Sequence, residues 1–219
     1  MHGWSALILA GGAGRRFGAN ALGGKLLADL AGAPVIRRVA ERVVAAGFAE
    51  VLVVTGAEDA RIRTALDVVA CGIVHAADWG EGMAATLRAG LSALAPNTRG
   101  VCVFLGDMPL APVELCAALI AAAEQAGFAA RPRCEGLPGH PVAFTRAAFA
   151  ELAQVTGDQG ATALLKARAD VAYVDTAERG ALIDIDSPAD LAAAEAAWNV
   201  CAISATSESA TSRGALPKP

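Results

Sequence analysis

The chain has 219 residues, enough for one well-cored α/β domain and short for two. Hydrophobic residues make up 55%, much of it alanine, yet the apolar stretches break well before the roughly 18 residues a transmembrane helix needs. A formal net charge of −4 without any Lys/Arg-rich run argues against nucleic acid as a partner.

The first apolar stretch precedes Arg15 and Arg16, the reverse of a secretory leader, so a cytoplasmic location is expected. Cys71, Cys102, Cys116, Cys134 and Cys201 are scattered without CxxC pairing and are expected to be reduced thiols. The charge is unevenly spread. Up to Arg42, Arg15, Arg16, Lys25, Arg37, Arg38 and Arg42 face only Asp29 and Glu41, a basic segment suited to an anionic small molecule.

In chain order, residues 5–10 (SALILA) form an apolar run that ends in Gly11-Gly12, which suits a buried strand and a tight loop. Pro34 opens a helix with Val35, Ile36, Val39 and Val43 on one face and Gly47 as its stop. Strands follow at 50–55 (EVLVVT) and 71–75, with a helix at 58–66 between them. A helix over 83–94 leads to 101–105 (VCVFL), the best central strand by its wholly apolar composition. A helix over 112–126 comes next. Extended pieces near 129–133 and 142–145 precede helices near 147–152 and 161–168, a strand at 171–175 and a helix over 188–198. Strands alternating with helices make this an α/β chain with parallel pairing. Residues 1–199 are expected to form one domain and 200–219, Ser/Thr/Ala-rich from Ala205, a disordered tail.

Leu9-Ala10-Gly11-Gly12-Ala13-Gly14-Arg15-Arg16-Phe17-Gly18 is the richest segment. Glycines after a first strand let backbone N–H groups approach phosphate oxygens, and arginines supply charge. A dinucleotide fingerprint would need GxGxxG opening a helix, whereas Gly12, Gly14 and Gly18 give GxGxxxG. A P-loop would need Ser or Thr after Gly24-Lys25, where Leu26 stands, and a glycine where Ala19 stands. What remains is a long phosphate-embracing loop from Gly11 to Lys25, with Arg16 and Lys25 as cationic contacts.

Leu105-Gly106-Asp107-Met108-Pro109 lies at the carboxyl end of the central strand, where open parallel sheets hold ligands. Such a carboxylate suits Mg²⁺. Asp184-Ile185-Asp186-Ser187-Pro188-Ala189-Asp190 is a second acidic cluster, in which Asp186 or Ser187 could be a plain N-cap. Together with Asp107, Asp186 becomes the partner that a two-carboxylate magnesium site needs.

The order of these motifs resembles the molybdenum-cofactor nucleotidyltransferases, especially the cytidylyltransferase branch of MobA-like NTP transferases. Further matches are Asp78-Trp79-Gly80-Glu81-Gly82-Met83, then Leu87-Arg88 and Gly90, Gly139-His140-Pro141-Val142, Gly157-Asp158-Gln159-Gly160-Ala161 and Asp184-Ile185-Asp186. The resemblance implies a three-layer Rossmann-like nucleotidyltransferase fold with a mostly parallel, partly mixed central sheet. It implies transfer of CMP or GMP from CTP or GTP to the phosphate of molybdopterin, with release of pyrophosphate and with Mg²⁺ on Asp107 and Asp186. Leu9, Ala10, Gly11, Gly12, Gly14, Thr55, Gly82 and Met83 would line the nucleotide, with Arg16 and Lys25 on its phosphates. Arg16, Lys25 and Asp107 would be the catalytic group. Gly139, His140, Pro141, Gly157, Asp158 and Gly160 would form the acceptor wall. A molybdoenzyme or its chaperone would be the protein partner.

Departures accompany the match. Gly24 precedes Lys25 where such families place proline, and residues 19–24 lengthen the loop. The glycine string and Asp107-Met108-Pro109 look closer to the guanylyl branch, while Asp78–Met83 and Asp184–Pro188 look cytidylyl. Cytidine and guanosine therefore both stay open, as do a sugar or polyol phosphate acceptor and a non-catalytic cofactor-holding chaperone. His140 is the one histidine inside a motif. A lining role is expected for it rather than general base catalysis, since a phosphate nucleophile is already ionised. Trp79 and Trp198 are expected to be partial core.

Overall fold

The computed structural model describes residues 1–12, 24–158 and 160–211, with side chains up to residue 200. In chain order it contains β1 (Trp4–Ala10), β2 (Asp29–Leu30), β3 (Ala33–Pro34), α1 (Val35–Ala45), β4 (Glu50–Thr55), α2 (Asp59–Ala65), β5 (Gly72–His75), α3 (Met83–Ala93) and β6 (Gly100–Leu105). It continues with α4 (Cys116–Ala126), β7 (Ala129–Cys134), β8 (Leu137–Pro138), β9 (Val142–Thr145), α5 (Phe149–Leu152), α6 (Thr162–Ala167), β10 (Val171–Thr176) and α7 (Pro188–Thr211). Short 3₁₀ turns at Lys25–Leu27, Trp79–Glu81 and Arg179–Ala181 fill connections at the site.

The main sheet runs β10-β7-β9-β6-β1-β4-β5, with β8 attached to β7. β1 pairs in parallel with β4 and β6, and β4 with β5. β9 is wedged antiparallel between β6 and β7, which is the mixed part of the sheet. The consequence is directional: β5, β4, β1, β6, β7 and β10 all end on one edge, and β9 starts there. Loops from distant parts of the sequence therefore meet at that edge, as expected at the carboxyl ends of an open α/β sheet.

Alternation along the strands builds two cores. Ala6, Ile8 and Ala10 of β1 pack with Ile36, Val39 and Val43 of α1, Ile62 of α2 and Leu119 of α4. Leu7 and Leu9 face the other way, toward Leu87 of α3, Leu152 of α5 and Leu165 of α6. The result is the expected three-layer fold. Trp79 and Trp198 are half-buried at the edges of these cores. Cys102, Cys116 and Cys134 are buried free thiols, and burial pushes the Cys102 thiol up.

A third cluster matters more for the site. Ile185 is fully buried with Leu30, Val35 and Ala194, which anchors α7 and the preceding strand-like segment on the small β2–β3 ribbon. α7 extends to Thr211, past the boundary expected at Trp198, in keeping with its alanine-rich sequence.

Candidate active site

The site is built where β1, β6 and the segment before α7 converge. The Gly106 N–H donates to the Leu9 carbonyl at 2.9 Å, which ties the start of the loop after β6 to the end of β1. The Ile185 N–H donates to the Asp107 carbonyl at 3.0 Å. Ile185 is buried in the core, while Asp184 and Asp186 on either side of it bring carboxylates to Asp107.

Asp107, Asp184 and Asp186 each bring one carboxylate oxygen within 4.8 Å of the others. Lys25 closes the group. Its Nζ lies 2.5 Å from Asp107 Oδ2 and 2.5 Å from Asp186 Oδ1. Burial works against the ammonium, but the two carboxylates outweigh it and raise its pKa above the ordinary lysine value. Burial, followed by the negative charges of Asp107 and Asp186, raises Asp184 above the usual carboxylate range. One ammonium against three acids leaves the cluster anionic, and hard oxygen donors at this spacing fit a divalent metal ion.

Ser187 and Asp190 explain why Asp186 is not occupied with capping. The Asp190 carboxylate accepts from the Ser187 N–H at 2.8 Å and from the Asp186 N–H at 3.2 Å, while Ser187 Oγ accepts from the Asp190 N–H at 3.3 Å. This reciprocal box starts α7 and leaves the Asp186 side chain to Lys25.

The end of β1 adjoins the cluster through the Leu9–Gly106 bond. Gly11 approaches Thr86 of α3 so closely that a Cβ there would collide with the Thr86 hydroxyl, whereas a Cβ on Gly12 would meet nothing within 4 Å. Leu9 and Ala10 are buried, so what they offer a ligand comes through the backbone. Gly14 and Arg16 lie outside the described residues. Thr55 is fully buried, and its hydroxyl donates to Asp59, with the Val74 carbonyl 3.2 Å away. Its hydroxyl is thus held inside the protein at the end of β4.

A second wall stands over α3. Gly82 has φ +102°, and the Ala84 N–H donates to the Gly157 carbonyl at 3.1 Å. A Cβ on Gly82 would run into Asp158, and one on Gly160 would come 3.1 Å from Met83 Sδ. Two loops expected on opposite substrates thus touch each other: Gly82-Met83 and Gly157–Gly160. Arg88 fastens them, with Nη2 2.9 Å from Glu81 and Nη1 donating to the Val155 carbonyl at 2.8 Å. Gln159 lies outside the described residues.

The third wall is the Gly139-His140-Pro141 turn. The His140 N–H donates to the Ala181 carbonyl at 2.9 Å, and the Gly139 N–H donates to the Pro132 carbonyl at 2.8 Å. The peptide to Pro141 is cis. Burial and the positive charge of Arg131 depress His140 to a pKa of about 4, so the ring is neutral near neutral pH.

Sequence reasoning missed two residues. Asp184 was visible as part of a DxD pair, but its share in the cluster depends on the Ile185–Asp107 bond. Arg131 lies in β7, 7% exposed, with Nε and Nη2 donating to the Gly139 carbonyl at 3.2 and 3.1 Å.

Residues 6–172 match the MobA-like NTP transferase domain. The chain belongs to the MobA-like NTP transferase family. A 3-deoxy-manno-octulosonate cytidylyltransferase of Idiomarina loihiensis is 36% identical over 101 residues, 46% of this chain and 39% of that protein. The same enzyme of Halorhodospira halophila is 41% identical over 104 residues, 47% of this chain and 39% of that protein. The matched stretch thus spans well under half the length of either relative. Among solved structures, a nucleotidyl transferase from Methanothermobacter thermautotroptrophicus superposes with a TM-score of 0.76 at 22% identity, covering 90% of this chain and 98% of that one, a likeness of fold. No helix among the described residues is long and apolar enough to cross a membrane.

Proposed function

We propose that the protein is a Mg²⁺-dependent nucleotidyltransferase that moves CMP or GMP from an NTP onto the phosphate of molybdopterin. One observation carries the chemistry: Asp107, Asp184, Asp186 and Lys25, from three separate parts of the chain, meet at the carboxyl end of β6, which is bonded to the end of β1. An acceptor oxygen attacks the α-phosphorus in line, the bond from that phosphorus to the bridging oxygen breaks, and pyrophosphate leaves with the electron pair. Asp107 and Asp186, with Asp184 beside them, would hold Mg²⁺, which supplies positive charge to the triphosphate when bound. Gly11 and Gly12 present backbone to the phosphates, and Lys25 offsets charge that builds on them. Such a reaction needs positioning and electrostatics more than a general base, which suits a neutral His140.

The molybdopterin assignment rests on the order of motifs from Gly11 to Asp186. A second reading, transfer of CMP to a sugar acid or a sugar or polyol phosphate, is favoured by the two octulosonate cytidylyltransferases among the relatives. Pyrophosphate release separates them. Purified protein with Mg²⁺ is given each NTP in turn, with molybdopterin, 3-deoxy-manno-octulosonate or a polyol phosphate as acceptor. Release with molybdopterin and CTP or GTP supports the first reading, release with a sugar acid or polyol phosphate supports the second, and none with any pair contradicts both.

A further inference from the structure

The sheet register brings together two buried polar groups that the chemistry above leaves unused. Val103 of β6 pairs with Val142 of β9, and the β9–β7 register continues from Ala130 opposite Ala143 to Arg131 beside Val142. Arg131 therefore projects from the face that carries α3, and His140 stands in the turn that leads into β9. From that face the Arg131 side chain reaches the Gly139 carbonyl, the peptide group that leads directly into His140.

Arg131 lacks a counter-ion among the described residues, and His140 Nδ1 lacks a hydrogen bond. Arg131 is 7% exposed, and among the described residues no carboxylate pairs with it, only a neutral carbonyl that takes two of its nitrogens. A buried guanidinium without a counter-ion is costly unless something else supplies the negative charge. His140 Nδ1 is buried with no hydrogen-bond partner. The Val103 backbone takes the other side of the ring. A neutral imidazole carries one proton, and a carbonyl on its Nε2 side fixes that proton there. Nδ1 then presents a lone pair.

We propose that Arg131 and His140 form an oxyanion subsite for the acceptor: the guanidinium takes a phosphate or carboxylate, and His140 Nδ1 accepts a hydrogen bond from a hydroxyl or N–H beside that anion. The identification of the ligand as the acceptor rests on the nucleotidyltransferase reading, whereas the subsite itself rests on the two unanswered groups. A ligand with only an anion meets a lone pair at Nδ1. One with an anion and a neighbouring donor meets both. Arg131 thereby selects for charge and His140 for what stands next to it, a demand a polar site enforces because rejection leaves buried groups unpaired.

The test reads the histidine ring directly, without nucleotide or turnover. The chain has three histidines, His2, His75 and His140, so ring ¹⁵N signals are few. Full-length protein is titrated with glycerol phosphate and, separately, with glycolate, which carry a phosphate and a carboxylate beside a hydroxyl. A saturable shift of His140 Nδ1 with one of them, while His2 and His75 stay put, is expected, and the responding probe tells phosphate from carboxylate. Arg131→Lys keeps the charge but loses the fork, and Arg131→Met loses both, with expected weakening of about 3- to 10-fold and of more than about 10-fold. Circular dichroism checks that each variant is folded. A His140 signal that moves with neither probe, or an Arg131→Lys titration identical to the parent, overturns the subsite. Turnover without the ring shift defeats this inference alone, and the ring shift without turnover defeats the enzymatic reading alone.

Discussion

Lys25 Nζ lies 2.5 Å from Asp107 Oδ2, across a gap of more than eighty residues in sequence and between two different loops. The same ammonium reaches Asp186, so a single cation ties the end of β6 to the start of α7. Replacing it leaves three acids facing one another. Lys25→Met is expected to lose about 1–2 kcal/mol, toward the low end for a buried pair because Asp186 is nearly half exposed. The same variant should gain more in melting temperature from added Mg²⁺ than the parent does, since its acids have lost their cation. Thermal melts with and without Mg²⁺ check both, and a parent-like melt in each condition speaks against the role given to Lys25.

Ser187→Ala isolates the cap from the site. It removes the Oγ that accepts from the Asp190 N–H and donates to its carboxylate, at a cost of about 1 kcal/mol. Turnover should fall less than severalfold, because the Ile185–Asp107 bond still holds Asp186 in place. Denaturant unfolding and kcat measured on the same preparation separate the two effects.

Gly82→Ala strikes at the junction of two loops. At φ +102° a side chain is strained, and its Cβ would meet Asp158 and come 2.9 Å from the Gly157 carbonyl carbon. A loss of about 1–3 kcal/mol is expected. Because Gly82 and Gly157 belong to touching walls, KM should rise for the nucleotide and for the acceptor alike. A rise for one alone would show that the loops act independently.

The burial of His140 predicts a pH dependence with a definite sign. Its folded pKa of about 4 lies below the usual value of 6.5. The unfolded chain therefore takes up a proton first as pH falls. Its contribution to stability is fully present above pH 6.5, erodes as the pH drops, and is gone near pH 4, a total on the order of 3 kcal/mol. Urea unfolding at pH 7.5, 6 and 5 should show this slope in the parent and a shallower one in His140→Gln. Equal slopes would mean that the ring is solvated.

Much of this was legible in the sequence because local signals and site coincide at strand ends. Gly11-Gly12 after β1 and Asp107 after β6 follow apolar runs that can only be buried strands, and the parallel order then brings them together. β9 was visible as a short extended piece, but its antiparallel insertion between β6 and β7 was not, since three apolar residues and a threonine carry no direction. Arg131 consequently looked like any charged residue. Asp184 was hidden for a similar reason: its orientation is set by a hydrogen bond between Ile185 and Asp107, not by its neighbours in the chain. The bond from the Thr55 hydroxyl to Asp59, four residues on, is likewise a contact that no motif announces.

In the proposed reaction Asp107 and Asp186 hold one divalent ion against the triphosphate. Mn²⁺ binding followed by electron paramagnetic resonance, with a non-hydrolysable NTP present, tests it most directly. One tight site is expected in the parent, weakened on the order of 10²-fold or more in Asp107→Asn and in Asp186→Asn alike. Unchanged binding in either variant would contradict the account.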